Sequence, residues 1–123
     1  MKFILRLLTW WNGQSVGTQI FTWRNGKLVG EDELGNKYYT DKQDVRRWVV
    51  YNGAIEASRI SPDWHGWLHH TFDECPGTNA LPHKAWEKPH TPNLSGTDAA
   101  YRLTGSILAG NASPRDYEAW QPE

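Results

Sequence analysis

The sequence predicts an α+β chain. It begins with an N-terminal amphipathic helix, continues as a small antiparallel β-meander of about four strands with one short helix, and ends in a long extended C-terminal arm with little regular structure. Three observations predict this. Apolar residues at the start of the chain recur at helical spacing. Residues 16–60 change to segments rich in Val, Ile, Thr, Tyr and Trp, punctuated by Asn-Gly and Gly-Asn pairs. Residues 76–123 are interrupted throughout by Pro and Gly. The divisions that follow are 1–13 for the helix, 14–75 for the sheet-and-helix core, and 76–123 for a partner-binding arm.

In Met1–Trp11, MKFILRLLTWW, the side chains of Phe3, Ile4, Leu7, Leu8 and Trp11 fall on one helical face, and those of Lys2, Arg6 and Thr9 on the other. Asn12-Gly13 ends the run. The stretch starts basic and continues apolar as a secretory signal does, but Arg6 interrupts it and no small-residue cleavage site follows. Crossing a bilayer core takes about 20 residues, so this helix docks in a protein groove or lies in a membrane interface. Its two basic residues are few for interfacial binding and favour the groove.

The strand candidates are VGTQIFTW, KLVG, NKYYT, VRRWVVY and AIEASRI, separated by Asn25-Gly26, Gly35-Asn36 and Asn52-Gly53. Asn-Gly is a strong hairpin signal because both residues tolerate positive φ. Ser61 then caps a helix with Pro62 at its first position and Asp63 in its first turn. Trp64, Trp67, Leu68 and Phe72 form its apolar stripe.

The same helix raises a metal question, because His65 and His69 stand four apart with Cys75 a few residues on. Two histidines at that spacing can present both rings to one Zn²⁺, with Asp73, Glu74 or His70 as a fourth ligand. In the helical zinc-hydrolase pattern the residue after the first His is a catalytic Glu; here it is Gly66, so no activation of a hydrolytic water follows. Glu31, Asp32 and Glu33 read as a solvated turn, since calcium-loop ligand spacing is absent. Arg46-Arg47 could contact RNA, but no basic stripe surrounds the pair and a salt bridge to a protein partner fits better. No Gly-rich nucleotide loop and no Ser/His/Asp arrangement can be assembled.

Formal net charge is −1, which gives no strong field toward nucleic acid or an anionic membrane. Nine basic and six acidic residues precede position 62 and four basic and eight acidic follow, a mild asymmetry that a polar partner surface could read. The single cysteine excludes an internal disulfide framework and suits a reducing compartment. Eight tryptophans in 123 residues, with only 38% hydrophobic residues, exceed what so small a core can bury. Along the arm Trp86, Tyr101, Ile107, Leu108, Tyr117 and Trp120 stand as isolated anchors, the pattern of a segment that orders on another surface. The partner-interface candidates are therefore Trp10, Trp11, Arg46, Arg47, Trp64, His65, Trp67, His69, Trp86, Tyr101, Tyr117 and Trp120.

KLVGEDELGNKYY (Lys27–Tyr39), RRWVVYNG (Arg46–Gly53), SPDWHGWLHH (Ser61–His70) and, more loosely, KPHTPNLSGTDAAY (Lys88–Tyr101) occur in this order. Together they resemble the 17.2 kDa accessory subunit family of the proton-pumping NADH:ubiquinone oxidoreductase, respiratory complex I. The resemblance covers nearly the whole chain from Gly26 onward and is closest to a compact, bacterial-type member. It implies a non-catalytic subunit with no cofactor and no bound metal. Such a subunit lies along the hydrophilic arm of the complex near its membrane junction, with the other subunits as partners and no nucleic acid. The implied location is peripheral, at the inner or cytoplasmic membrane on the cytoplasmic side, which corresponds to the mitochondrial matrix side. A related branch of the family acts as an assembly factor, and the anchoring aromatics that continue to the end of the chain favour the permanent subunit.

Overall fold

The computed structural model describes residues 2–9, 13–103, 105–109 and 119–123, and the chain divides into two units, Met1–Pro92 and Asn93–Glu123. The first unit carries helices α1 (Lys2–Leu8), α2 (Val16–Asn25) and α3 (Pro62–Leu68), strands β1 (Lys27–Glu31), β2 (Lys37–Thr40) and β3 (Arg47–Val50), and a 3₁₀ turn at Ala57–Arg59. Among its described residues the second unit has one 3₁₀ turn, Ile107–Ala109. The class is α+β, as the sequence predicts, but two expected strands take other forms.

The first is VGTQIFTW, which is helix α2. Its β-branched residues express only a weak preference, whereas Ser15 supplies a specific cap: its Oγ accepts from Thr18 N–H at 3.2 Å and lies 2.9 Å from Thr18 Oγ1. Docking against β3 adds to this, since Trp48 Nε1 donates to Thr22 Oγ1 at 3.0 Å and the Phe21 and Trp48 rings lie 5.3 Å apart. Asn25-Gly26 consequently closes a helix rather than a hairpin, with Gly26 N–H donating to Thr22 O at 2.7 Å. A β-carbon at Gly26 would sit 2.5 Å from that same oxygen. The second is AIEASRI, which forms the 3₁₀ turn and delivers Ile60 to the core at 9% exposure.

The remaining strands form an antiparallel sheet in the order β1-β2-β3. Tyr38 pairs with Val49 and Tyr39 with Trp48, so successive residues of β2 face opposite layers. On one side Tyr38 is fully buried, stacked on Trp64 with ring centroids 4.0 Å apart, and Trp67 stands edge-on to both rings. Such aromatic pairs contribute about 0.5–1.5 kcal/mol each beyond their buried area. Val29, Val49, Leu68, Phe72 and Cys75 pack around this trio. A bulge between Leu28 and Gly30 brings the β1 backbone under Trp64, where a β-carbon on Gly30 would lie 2.6 Å from the indole. On the other side Tyr39 stacks on Trp48 beneath α2.

Helix α1 forms where the sequence predicts it and ends at Leu8, with Thr9 N–H and Oγ1 both donating to Leu5 O. Residues 10–12, into which the sequence reading extended this helix, lie outside the described residues. Ile4, Leu7 and Leu8, from its expected docking face, are 62%, 60% and 71% exposed.

Candidate partner interface

Side chains with chemistry in the first unit are mostly engaged in holding it together, which decides what is left for a partner. Asp32, expected in a solvated turn, is an acceptor hub. Its Oδ1 takes the N–H groups of Leu34 and Asn36 at 2.9 Å each, and its Oδ2 takes Asn36 Nδ2 at 2.8 Å and the Tyr38 hydroxyl at 2.7 Å. Asn36, fully buried, accepts the N–H of Asn52 on Oδ1 at 3.0 Å. Asn52 Nδ2 donates back to Leu34 O, and Arg59 Nη2 donates to Asn52 O at 2.7 Å. The β1–β2 turn, the exit of β3 and the 3₁₀ turn are thus pinned at one point. Burial, then the Asp32 carboxylate, push the Tyr38 phenol far above its ordinary value, so it stays a proton donor.

Arg47 performs a second internal task. Its side chain is 1% exposed, with Nη1 donating to Trp67 O at 2.8 Å and Phe72 O at 3.1 Å, and Nη2 to Asp73 at 2.9 Å. The guanidinium lies 4.8 Å from the Trp67 ring centroid. It ties β3 to the carbonyls at the end of α3, where a cation is electrostatically favoured. Arg47, Trp64 and Trp67 are accordingly interior residues, which corrects their assignment to a partner-facing surface. The apolar stripe foreseen for α3 places both tryptophans correctly, and Arg47 is drawn inward by the carbonyls of Trp67 and Phe72 and the carboxylate of Asp73.

Beyond Cys75 the chain stays attached for some distance. His83 bridges two acids, with Nδ1 2.6 Å from Glu87 and Nε2 3.0 Å from Asp63 on α3, and its pKa is raised, first by the hydrogen bond to Glu87 and then by the charge of Asp63. His90 Nε2 contacts Ser58 O at 2.7 Å. The residues from 76 to 92 therefore belong with the first unit.

What remains outward is aromatic and aliphatic. Trp86, Tyr101 and Trp120 are 79%, 86% and 79% exposed. Trp23 on α2, which the strand reading concealed, is 87% exposed, and the general excess of tryptophan was its only sequence signal. Arg46, His65 and His69 are exposed. Trp10, Trp11 and Tyr117 lie outside the described residues. The rings of His65 and His69 are 4.2 Å apart, while Cys75 Sγ faces Val29 O at 3.9 Å. Among the described residues no group of three or more His, Cys, Asp or Glu is arranged to hold a metal ion, so His65, His69 and Cys75 do not converge. Large exposed aromatics have the character of a protein-binding surface.

The protein-family model described as NADH ubiquinone oxidoreductase subunit NDUFA12 matches residues 26–122, a span that starts where α2 ends. The chain is similar to NADH dehydrogenase (ubiquinone) 1 alpha subcomplex subunit 12 of Dictyostelium discoideum, with 37% identity over 81 residues, 62% of this chain and 59% of that one. The mouse protein of the same name is 39% identical over 92 residues, covering 63% of each chain. Subunit N7BM of Yarrowia lipolytica is 35% identical over 108 residues, 80% of this chain and 74% of that one. The matched segment spans less than two thirds of the Dictyostelium and mouse relatives.

Proposed function

Because the chain belongs to the NADH ubiquinone oxidoreductase subunit NDUFA12 family, we propose that it is a non-catalytic accessory subunit of proton-pumping NADH:ubiquinone oxidoreductase, respiratory complex I. It binds along the hydrophilic arm near the membrane junction, on the cytoplasmic or matrix side, and supports assembly and stability while other subunits carry electrons from NADH to quinone. The observation that carries this reading is the exposure of Trp86 and Trp120, 79% each, on a chain whose own aromatic core is already complete. Large aromatics of this kind supply most of the energy at protein interfaces. In the described residues no helix is long and apolar enough to cross a membrane, and the subunit contacts the bilayer only peripherally.

The second unit has a particular place in this reading. Ordering costs about 1–2 kcal/mol per fixed backbone residue, and a segment with few buried side chains does not recover that from its own contacts. A neighbouring subunit supplies them. The test is isolation of the complex from gently solubilised membranes of cells carrying a tagged chain. Co-elution in stoichiometric amount with NADH:quinone oxidoreductase activity is expected. Recovery only in inactive, incomplete assemblies would instead identify an assembly factor, and recovery only as a free chain would overturn the reading.

A further inference from the structure

β3 is an outer strand of the sheet, and among the described residues no strand pairs with its outer edge. The bond from Asp41 N–H to Arg46 O fixes the alternation of the ladder, in which the main-chain groups of Arg46, Trp48 and Val50 face β2. Those of Arg47 and Val49 face outward, and among the described residues they have no main-chain partner on that side. Beside this edge runs an open groove of about 790 Å³, walled by Ser15 at the cap of α2, by Thr18 and Phe21 of α2, by Val45–Val49 and by His70. Its floor offers apolar contact at Phe21 and Val45, the latter 64% exposed.

Charge selects the occupant. The lining includes Arg46, Arg47 and His70 and no carboxylate. The Arg47 guanidinium is neutralised by Asp73 and Asp44, while Arg46 is exposed and makes no ion pair among the described residues. Arg46 acts electrostatically on Asp41, whose Oδ1 is already held by Val45 N–H at 2.8 Å. We propose that this edge receives an extended, acidic segment of a partner protein as a fourth strand. The segment's main chain pairs with Arg47 and Val49, and one of its carboxylates meets Arg46. A second copy of β3 fits less well, because it would bring a second Arg46-Arg47 pair to a groove whose lining holds Arg46, Arg47 and His70 and no carboxylate. The inference rests on the accessory-subunit reading, which provides the partner.

The test compares amide hydrogen exchange in the free full-length chain and in the purified complex. The amides of Arg47 and Val49 should slow by about a hundredfold or more on assembly. Val49→Pro removes the outward N–H without touching the ladder to β2, and should lower retention in the complex about tenfold, the scale of one lost main-chain hydrogen bond. Val49→Ala loses comparable packing but keeps the N–H, and should retain more. Arg46→Glu should weaken retention and reverse its dependence on salt. If Val49→Pro does not fold, wild-type exchange and Arg46→Glu decide. A photo-crosslinking residue at position 46 should link to a segment of another subunit that contains Asp or Glu. Unchanged exchange at Arg47 and Val49 in a complex that still contains the chain would overturn this inference and leave the subunit reading standing. Crosslinks to a second copy or to this chain's own C-terminal residues would also overturn it. Absence of the chain from the complex would overturn both.

Discussion

Tyr38 and Tyr101 are the same residue type in opposite circumstances, 0% and 86% exposed, and Trp64 and Trp120 repeat the contrast at 5% and 79%. In the first unit Tyr38, Trp64 and Trp67 stand on a strand and a helix whose backbones are internally bonded, so each of these rings meets another at a fixed angle. In the second, Pro and Gly recur along the chain, and Thr97, Ala100 and Ser106 each bond a carbonyl three residues back. The difference shows that aromatic residues serve two ends here. Where a periodic backbone presents them to one another they build a core. Where it does not, they remain as area for another molecule to bury.

The strongest way to break this comparison is to truncate one ring of each kind. Trp64→Ala should destabilise the free chain by about 3–5 kcal/mol, since it removes a large buried ring and leaves a cavity under Tyr38. Trp120→Ala should change free-chain stability by no more than about 0.5 kcal/mol. Urea unfolding of both variants measures the contrast, and equal losses would dissolve it.

Next in size is the hub. Asp32→Ala leaves the buried Tyr38 hydroxyl without its acceptor and Asn36 Nδ2 with only the 3.5 Å contact to Arg59 O, at about 1–3 kcal/mol for an unsatisfied buried group. Thermal unfolding should show a large loss, whereas Glu33→Ala, one residue away and exposed, should shift the midpoint little. Arg47→Ala should follow at about 1.5–3 kcal/mol, from its charge-assisted bonds to Trp67 O and Phe72 O, with Arg46→Ala nearly silent in the free chain.

The smallest effect is electrostatic and concerns the attachment of residues 76–92. Glu87 and Asp63 raise the His83 pKa above the ordinary value of 6.5. A raised folded-state pKa means that the stabilisation is fully present below 6.5 and is lost as pH rises through the higher folded value. Fluorescence of Trp86 should therefore report a loosening on going from slightly acidic to alkaline pH, and His83→Gln should remove that pH dependence. Persistence of the transition in the variant would assign it elsewhere.

How much of this was legible in the sequence varies by element. Helix α3 and its stripe were readable because Pro62, Asp63 and the spacing of Trp64 and Trp67 are local signals. The three strands were readable for the same reason. Helix α2 was not, because its Thr, Val and Ile content resembles a strand, and the Ser15 cap and the Trp48 contact that decide the matter involve one easily overlooked hydroxyl and a residue on another element. The Asp32 hub was hidden because Asn36, Asn52 and Arg59 come together only after the sheet has formed. The division of the tryptophans into buried and exposed sets was half visible: helical spacing pointed inward at Trp64 and Trp67, while Trp23 was lost with its misread helix.

The central claim is that the outward aromatics are covered by other subunits of the complex. Oxidative footprinting of Trp86 and Trp120 in the free chain and in the purified complex measures it directly. Reactivity at both positions should fall by about tenfold or more on assembly, as expected of aromatic anchors in a water-excluding contact. Equal reactivity in the free and assembled chains would contradict the account.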